Sequence, residues 1–133
     1  MTLVDGKGLP LSLFTSSASR YEGHLVEPTL ERAFGKGKVQ RIIGDKGYDD
    51  DKVRASMAEQ GIDFIAPNRR HRKHKTQDLR KLRRYNRRWI VERTFAWLHN
   101  YRRVVTRWER HVEMYVSFLH IAWILLIVNR VLK

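Results

Sequence analysis

The sequence predicts one α/β domain with a helical C-terminal part. Three observations carry that prediction. Short apolar runs bounded by turn residues alternate with helix-period stretches over residues 1–67, a long stretch of helical spacing follows, and an apolar run of helical length comes last. The 133 residues suffice for one domain with a real core and are too few for two. An apolar fraction of 42% excludes wholesale disorder. The lack of cysteine excludes disulfides and thiolate metal sites, leaving oxygen or imidazole as ligands for any metal. The first four residues run straight into Asp5 and Gly6 without a signal-peptide pattern, so the cytoplasm is the expected compartment.

Residues 2–15 read as a hairpin, because short apolar runs flank Asp5-Gly6-Lys7-Gly8 and Asp-Gly is a strong turn signal. Asp5 is then a turn residue, since aspartate bonds its own backbone in turns. A polar loop covers residues 16–19. Leu25, Val26, Leu30, Ala33 and Phe34 have helical spacing, so a helix is expected from Glu22 or Gly23 to Phe34, ended by Gly35-Lys36-Gly37. Residues 39–44, VQRIIG, are a short buried strand of the kind found inside a mixed or parallel sheet. It leads into Asp45-Lys46-Gly47-Tyr48 and three acids, Asp49, Asp50 and Asp51, which suit a helix N-terminus as caps. That helix runs to Gln60 with Val53, Met57 and Ala58 inward and Gly61 as its stop. Residues 62–66, IDFIA, are the next strand, closed by Pro67.

Residues 68–76, NRRHRKHKT, lack periodicity and read as a mobile basic loop, in which His71 and His74 are poor metal ligands among so many cations. One long helix is expected over residues 77–101, with Leu79, Leu82, Trp89, Ala96 and Trp97 as its apolar contact positions. A second basic connection holding Trp108 spans residues 102–110. The last helix covers residues 112–131. Its apolar run from Met114 to Val128 is interrupted only by Ser117 and His120. Fifteen residues at ~1.5 Å each fall short of a ~30 Å hydrocarbon core. A buried core helix with His120 as a satisfied core histidine is therefore expected, and no membrane.

Charge separates the chain into parts. Lysine and arginine number 27 against 14 acids, a net +13, and residues 68–111 hold 16 basic and 3 acidic residues, which is +13 alone. The remainder is neutral. Excess charge confined to a third of the chain is the footprint of a polyanion partner, most commonly a phosphate backbone, and solubility alone does not call for such segregation.

Two acids stand out against that background. Asp45 lies at the carboxyl end of a predicted strand, where α/β proteins place function, with glycines at 44 and 47 to turn the chain tightly. It is equally a candidate helix cap. Glu92 is a lone acid among Arg87, Arg88 and Arg93; at 100° per residue Tyr85, Arg88, Glu92 and His99 share a stripe roughly 60° wide. It is either an ion-pair partner or a metal ligand facing a polyanion. Paired carboxylates that hold Mg2+ or Mn2+ are a common arrangement for phosphoryl transfer. Trp89, Trp97 and Trp108 could stack on bases, though helix packing is the simpler duty for the first two.

The spacing Tyr85-x2-Arg88-x3-Glu92-x6-His99 resembles the Tyr-(2)-Arg-(3)-Glu-(6)-Lys signature of bacterial insertion-sequence transposases of the IS4/IS5 type. Gly44-Asp45-Lys46-Gly47-Tyr48 is similar to the segment bearing their second catalytic Asp, and VDGKGLPL, TSSASRYE and the run from Arg72 to Arg103 are also similar to that family. The resemblance implies an RNase H-like mixed sheet with flanking helices and an Asp-Asp-Glu (DDE) triad that binds Mg2+ or Mn2+. It also implies cleavage and strand transfer of DNA at element ends by a homo-oligomer assembled on terminal repeats and target DNA. Asp45 and Glu92 would be two members of the triad and its metal ligands. Arg69, Arg70, Arg72, Lys73, Lys75, Arg84, Tyr85, Arg87, Arg88, Arg93, His99, Arg102 and Arg103 would meet DNA. Residues 1–67 would be the α/β part, 68–111 the basic loop and Glu92 helix, and 112–133 the C-terminal core helix.

Two departures accompany the resemblance. His99 replaces the usual Lys with a group neutral near pH 7. The family's first catalytic Asp lies on a strand before the hairpin, and no residue here matches it; Asp5 sits on the turn instead. The chain is therefore expected to be the C-terminal portion of a transposase, lacking the first strand, either truncated or joined to an upstream-encoded N-terminal part. The rival readings are a non-catalytic DNA-binding regulator derived from such an enzyme and a membrane-surface protein.

Overall fold

The computed structural model describes residues 1–17, 19–74 and 78–132. Strands β1 (Thr2–Val4) and β2 (Pro10–Leu13) pair antiparallel as the Asp-Gly signal predicts. Asp5 Oδ1 accepts from the amides of Lys7 and Leu9, each at 2.8 Å, so its carboxylate is committed to the turn. Gly8 closes that turn at φ +88°, a conformation L side chains rarely adopt.

The expected helix over residues 22–34 is shorter and starts tighter. A 3-10 turn, Glu22–Leu25, feeds α1 (Val26–Glu31), and Gly35 ends the segment at φ +72°. Leu25, Val26, Leu30 and Ala33 are buried as expected, whereas Phe34 is 87% exposed. The cause is local: the Phe34 amide leaves the helix to donate to the Leu11 carbonyl of β2 at 3.0 Å, which turns its ring outward. Ser12 Oγ donates to the Thr29 carbonyl at 2.5 Å and fixes α1 across the hairpin.

Strands β3 (Arg41–Ile43) and β4 (Asp63–Ile65) pair parallel through α2 (Asp51–Glu59), a βαβ unit. The α2 helix stops at Gly61, φ +71°, where Ile62 N–H reaches the Met57 carbonyl at 2.8 Å and Gly61 N–H the Ala58 carbonyl at 2.9 Å. Val53 and Met57 point inward; Ala58, one ~100° step beyond Met57, faces solvent rather than the core. The single mixed sheet expected from sequence is not what forms. The described strands make two separate two-stranded sheets, hairpin and parallel pair, which share a core instead of hydrogen bonds. Val26, Leu30, Ile42, Val53, Met57 and Phe64 build that core, and Leu3 and Leu11 of the hairpin pack against it. The β2 side of the hairpin is taken by α1 and Phe34, which keeps it from the parallel pair.

The helix expected over residues 77–101 is helical from 79 to 98 but not uniform; Gln77 lies outside the described residues. The segment divides into α3 (Leu79–Leu82), a 3-10 stretch Arg83–Arg88, and α4 (Trp89–Leu98). An α-helix would oppose Arg83 to Arg87 and Arg84 to Arg88, like charges four apart. The 3-10 winding instead stacks residues three apart and lays the Arg88 guanidinium 5.6 Å over the Tyr85 ring. The apolar contacts also differ: Leu79, Trp89 and Ala96 face solvent, and the buried face is Ile90, Thr94 and Leu98. That face meets the hairpin turn, where Thr94 Oγ1 donates to the Gly8 carbonyl at 2.8 Å and Arg93 donates to the Lys7 carbonyl at 2.8 Å.

Residues 102–110 are not only a connection. They open with α5 (Arg102–Val105), whose Val104 is buried with Leu98, Leu119, Trp123 and Leu126 in a second core. The last helix, α6 (Val112–Val131), has the expected bounds but is not a buried core helix. Leu119, Ala122, Trp123 and Leu126 face the second core, while the opposite face lies in solvent because α4 and α5 cover one side only. His120 is exposed, with its ring edge-on to Trp123, rather than a core histidine. By length and composition alone α6 could cross a membrane.

The three acids after β3 divide the labour differently from three caps. Asp50 caps α2 through the Lys52 amide at 2.8 Å. Asp49 is buried instead and accepts from Arg54 at 2.6 Å, Arg72 at 2.7 Å, Asn68 Nδ2 at 3.2 Å and the Arg69 amide at 2.7 Å. Arg72 also pairs with Asp51. Residues 68–72 are thus pinned to the βαβ unit rather than loose. Burial pushes the Asp49 carboxyl up, but the Arg69 amide, Arg54, Asn68 and Arg72 outweigh it and hold the carboxyl below its usual range. Asp63 is held low by Lys81 and then Arg41, a link that ties α3 to β4.

Asp49→Asn would strand Arg54 and Arg72 without their buried counter-charge and should cost about 3 kcal/mol in urea unfolding. A carboxyl held low when folded adds stability that is present above about pH 4 and lost as pH falls below it. The wild-type unfolding midpoint should therefore drop between neutral pH and pH 3, and the drop should be smaller in D49N.

Candidate active site

Asp45 follows β3 directly and caps a 3-10 turn, Lys46–Tyr48, its Oδ1 accepting from the Gly47 amide at 2.7 Å. The cap reading of Asp45 is thus realised at the strand end. Gly47 is required there: a Cβ would lie 2.6 Å from Glu22 Oε2 and 2.9 Å from Asp45 Oδ1. The same closeness brings the Glu22 carboxylate up to Asp45, a neighbour that sequence reasoning missed. Glu22 read only as a helix start, and no local pattern marks an approach made through the tertiary fold. Beside this pair the Tyr48 hydroxyl is pushed up to about 12 by burial, then by Glu22 and Asp45. Arg69 closes the turn from above, donating to the Gly47 carbonyl at 2.8 Å, the Lys46 carbonyl at 3.3 Å and the Tyr21 hydroxyl at 3.2 Å.

Glu92 lies in the first turn of α4, exposed, and is ion-paired with Arg88 four residues earlier. Arg88 in turn covers the Tyr85 ring, so the structure brings Tyr85, Arg88 and Glu92 together. His99 is not among them; it is exposed at the C-terminal cap of α4. β3, whose end carries Asp45, lies against the 3-10 stretch that leads into Glu92's helix. Among the described residues no three of His, Cys, Asp or Glu are grouped to hold a metal ion. Carboxylate oxygens suit a hard cation in kind, but the described set is short in number.

The basic residues fall into two groups. Arg69 and Arg72 are engaged within the fold, Arg103 pairs with Glu109 at 3.0 Å, and Arg93 is held between Trp89 and Trp97 at 4.6 and 4.7 Å from their ring centroids. The Arg87 guanidinium lies beside Gly6 of the hairpin turn. Arg70, Lys73, Arg84, Arg102 and His99 are exposed and form no ion pair among the described residues. Lys75 lies outside the described residues. Trp108 is 74% exposed beside the Arg102–Arg110 cations, whereas Trp97 is half-buried beneath Arg130.

Residues 1–127 match the family described as Transposase DDE domain. A putative transposase for insertion sequence element IS402 from Burkholderia cepacia is 30% identical over 135 residues, covering 96% of this chain and 61% of that protein. The chain thus spans about three fifths of that relative's length. No solved structure matches it. The family match takes in the hairpin, the Asp45 turn, the basic segment and the Glu92 helix together, and on that ground the chain belongs to the DDE transposases of insertion sequences.

Proposed function

We propose that this chain is the catalytic portion of a DDE transposase with an RNase H-like plan, acting in the cytoplasm on the ends of an insertion sequence and on target DNA. One observation carries the reading: the strand that ends in Asp45 rests on the segment that leads into Glu92's helix, so two family carboxylates belong to one structural unit. Asp45 and Glu92 are two of the three acids, and an upstream strand, encoded separately or in frame, supplies the third. Supporting this, Asp5 is committed to its turn and the described residues hold no three-acid group. Copies of the chain assemble on DNA.

Mg2+ or Mn2+ at the completed triad would supply activation of the attacking oxygen and stabilisation of the leaving one. The chain's own residues prepare that site. Gly47 and Arg69 hold the Asp45 turn rigid, so one carboxylate is pre-aimed. Arg88 holds Glu92 through an exposed pair four residues apart, worth ~0.3–0.5 kcal/mol, little enough to be given up to a stronger cation. The exposed cations Arg70, Lys73, Arg84 and Arg102 meet phosphates, and Trp108 offers a face to an unpaired base.

A second reading, a non-catalytic DNA-binding regulator, is favoured by Asp45 acting as a cap and Glu92 as an ion-pair partner. It requires that Asp45→Ala and Glu92→Ala leave the biological effect unchanged.

The chain should bind duplex DNA with an affinity that falls as salt rises. Arg84→Ala and Arg102→Ala should each weaken binding and flatten the slope of log K against log salt by about 0.9. Alone, the chain should leave end-bearing DNA uncut in Mg2+. Nicking should appear once the strand carrying the first Asp is supplied, and vanish in D45N and E92Q while DNA binding persists. Robust nicking by the chain alone would overturn the claim of a missing third acid.

A further inference from the structure

The outer face of α6 carries a pattern that its inner face does not explain. Met114, Ser117, Ile121, Ile124, Val128 and Val131 are spaced three, four, three, four and three residues apart, the repeat of a helix-pairing seam. Each is exposed, the apolar five between 43% and 66%. At ~100° per residue they form a stripe opposite Leu119, Ala122, Trp123 and Leu126, which face the second core. One helix thus has two apolar faces, and the fold uses one.

We propose that this seam pairs with the same seam of a second copy, the two α6 helices running antiparallel about a two-fold axis. The sequence fits itself in that register. Ile121 meets Ile124 of the partner subunit, Ser117 meets Val128 of the partner subunit, and Met114 meets Val131 of the partner subunit, so every layer joins the two kinds of seam position, as antiparallel pairing requires. A two-fold axis makes the contact isologous and closed, which limits it to a dimer. No charged residue interrupts the seam from Met114 to Val131, and Leu125 and Leu132 widen it on one flank. With those two, the exposed apolar surface is on the order of 700 Å2, more than the ~300–600 Å2 that a monomer ordinarily leaves and close to the ~800 Å2 per partner of a standard interface. The strict seven-residue repeat favours a helical partner over a lipid surface, which needs a wide apolar face but no such repeat. The pairing deepens the homo-oligomer part of the reading above and is tested without DNA, so its failure leaves the nucleic-acid reading standing.

The test is sedimentation equilibrium of the full chain at micromolar concentration, with helix content followed by circular dichroism. The wild type should give twice the 15.9 kDa of one chain. Ile121→Glu and Ile124→Glu should each give a monomer with unchanged helix content. Asn129→Glu, exposed but off the seam, should remain a dimer. A monomeric wild type, or a dimer that survives both seam substitutions, would overturn the proposal. So would a chain that is monomeric in buffer and floats with phosphatidylglycerol vesicles, because lipid would then be what the face meets.

Discussion

The contact between Gly8 and Thr94 holds the two halves of the molecule in register. Thr94 is nearly fully buried, its hydroxyl on the Gly8 carbonyl, and a Cβ on residue 8 would come within 2.9 Å of Thr94 Oγ1 and 3.3 Å of the Trp97 ring. Eighty-six residues separate the partners, so this junction fixes the hairpin turn against α4. Arg93 doubles it through the Lys7 carbonyl. Because Glu92 precedes these residues directly, the orientation of its carboxylate is set by a turn at the other end of the chain. The first core and the second core meet through this junction, with Leu3 and Leu11 in one and Leu9 and Leu13 against the other.

Electrostatics is sorted by depth rather than by sequence. The basic segment looks uniform as a string of letters, yet the fold draws Arg69 and Arg72 inward to Asp49 and leaves Arg70 and Lys73 outside. A buried carboxylate surrounded by two guanidinium groups, an amide and a side-chain amide is satisfied by geometry that no surface pair has. The inward arginines are therefore structural anchors for the outward ones. The charge that remains for a polyanion is smaller than +13 implies, and it is held on a firmer base.

Much of the architecture was legible because it is local. The hairpin, the Gly61 stop, the βαβ unit and the bounds of α6 follow from turn chemistry and periodicity confined to a few residues. What was not legible depends on partners far away in sequence. Phe34 reads as a helix residue until the Leu11 carbonyl takes its amide. Asp49 reads as one cap among three until Arg72 arrives, and Glu22 becomes a neighbour of Asp45 only through the closeness at Gly47. For the candidate site, Tyr85, Arg88 and Glu92 do meet, since their spacing is helical; His99 does not join them. His120 and the outer side of α6 were misjudged for a simple reason: an apolar run says that a surface wants cover, not that cover is present.

The six-residue 3-10 stretch before Glu92 has a mechanical meaning. Wound at three residues per turn instead of 3.6, it is about 3 Å longer than the same residues in α form and advances about 120° further around the axis. The helical segment 79–98 therefore behaves as a screw with one coarse thread in an otherwise fine one. Rewinding that thread would draw α3 toward α4 and swing Arg83, Arg84 and Arg87 to another bearing while Glu92, fixed by Thr94, stayed where it is. The basic side chains and the acid are joined by the one part of the helix whose pitch can set their relative angle.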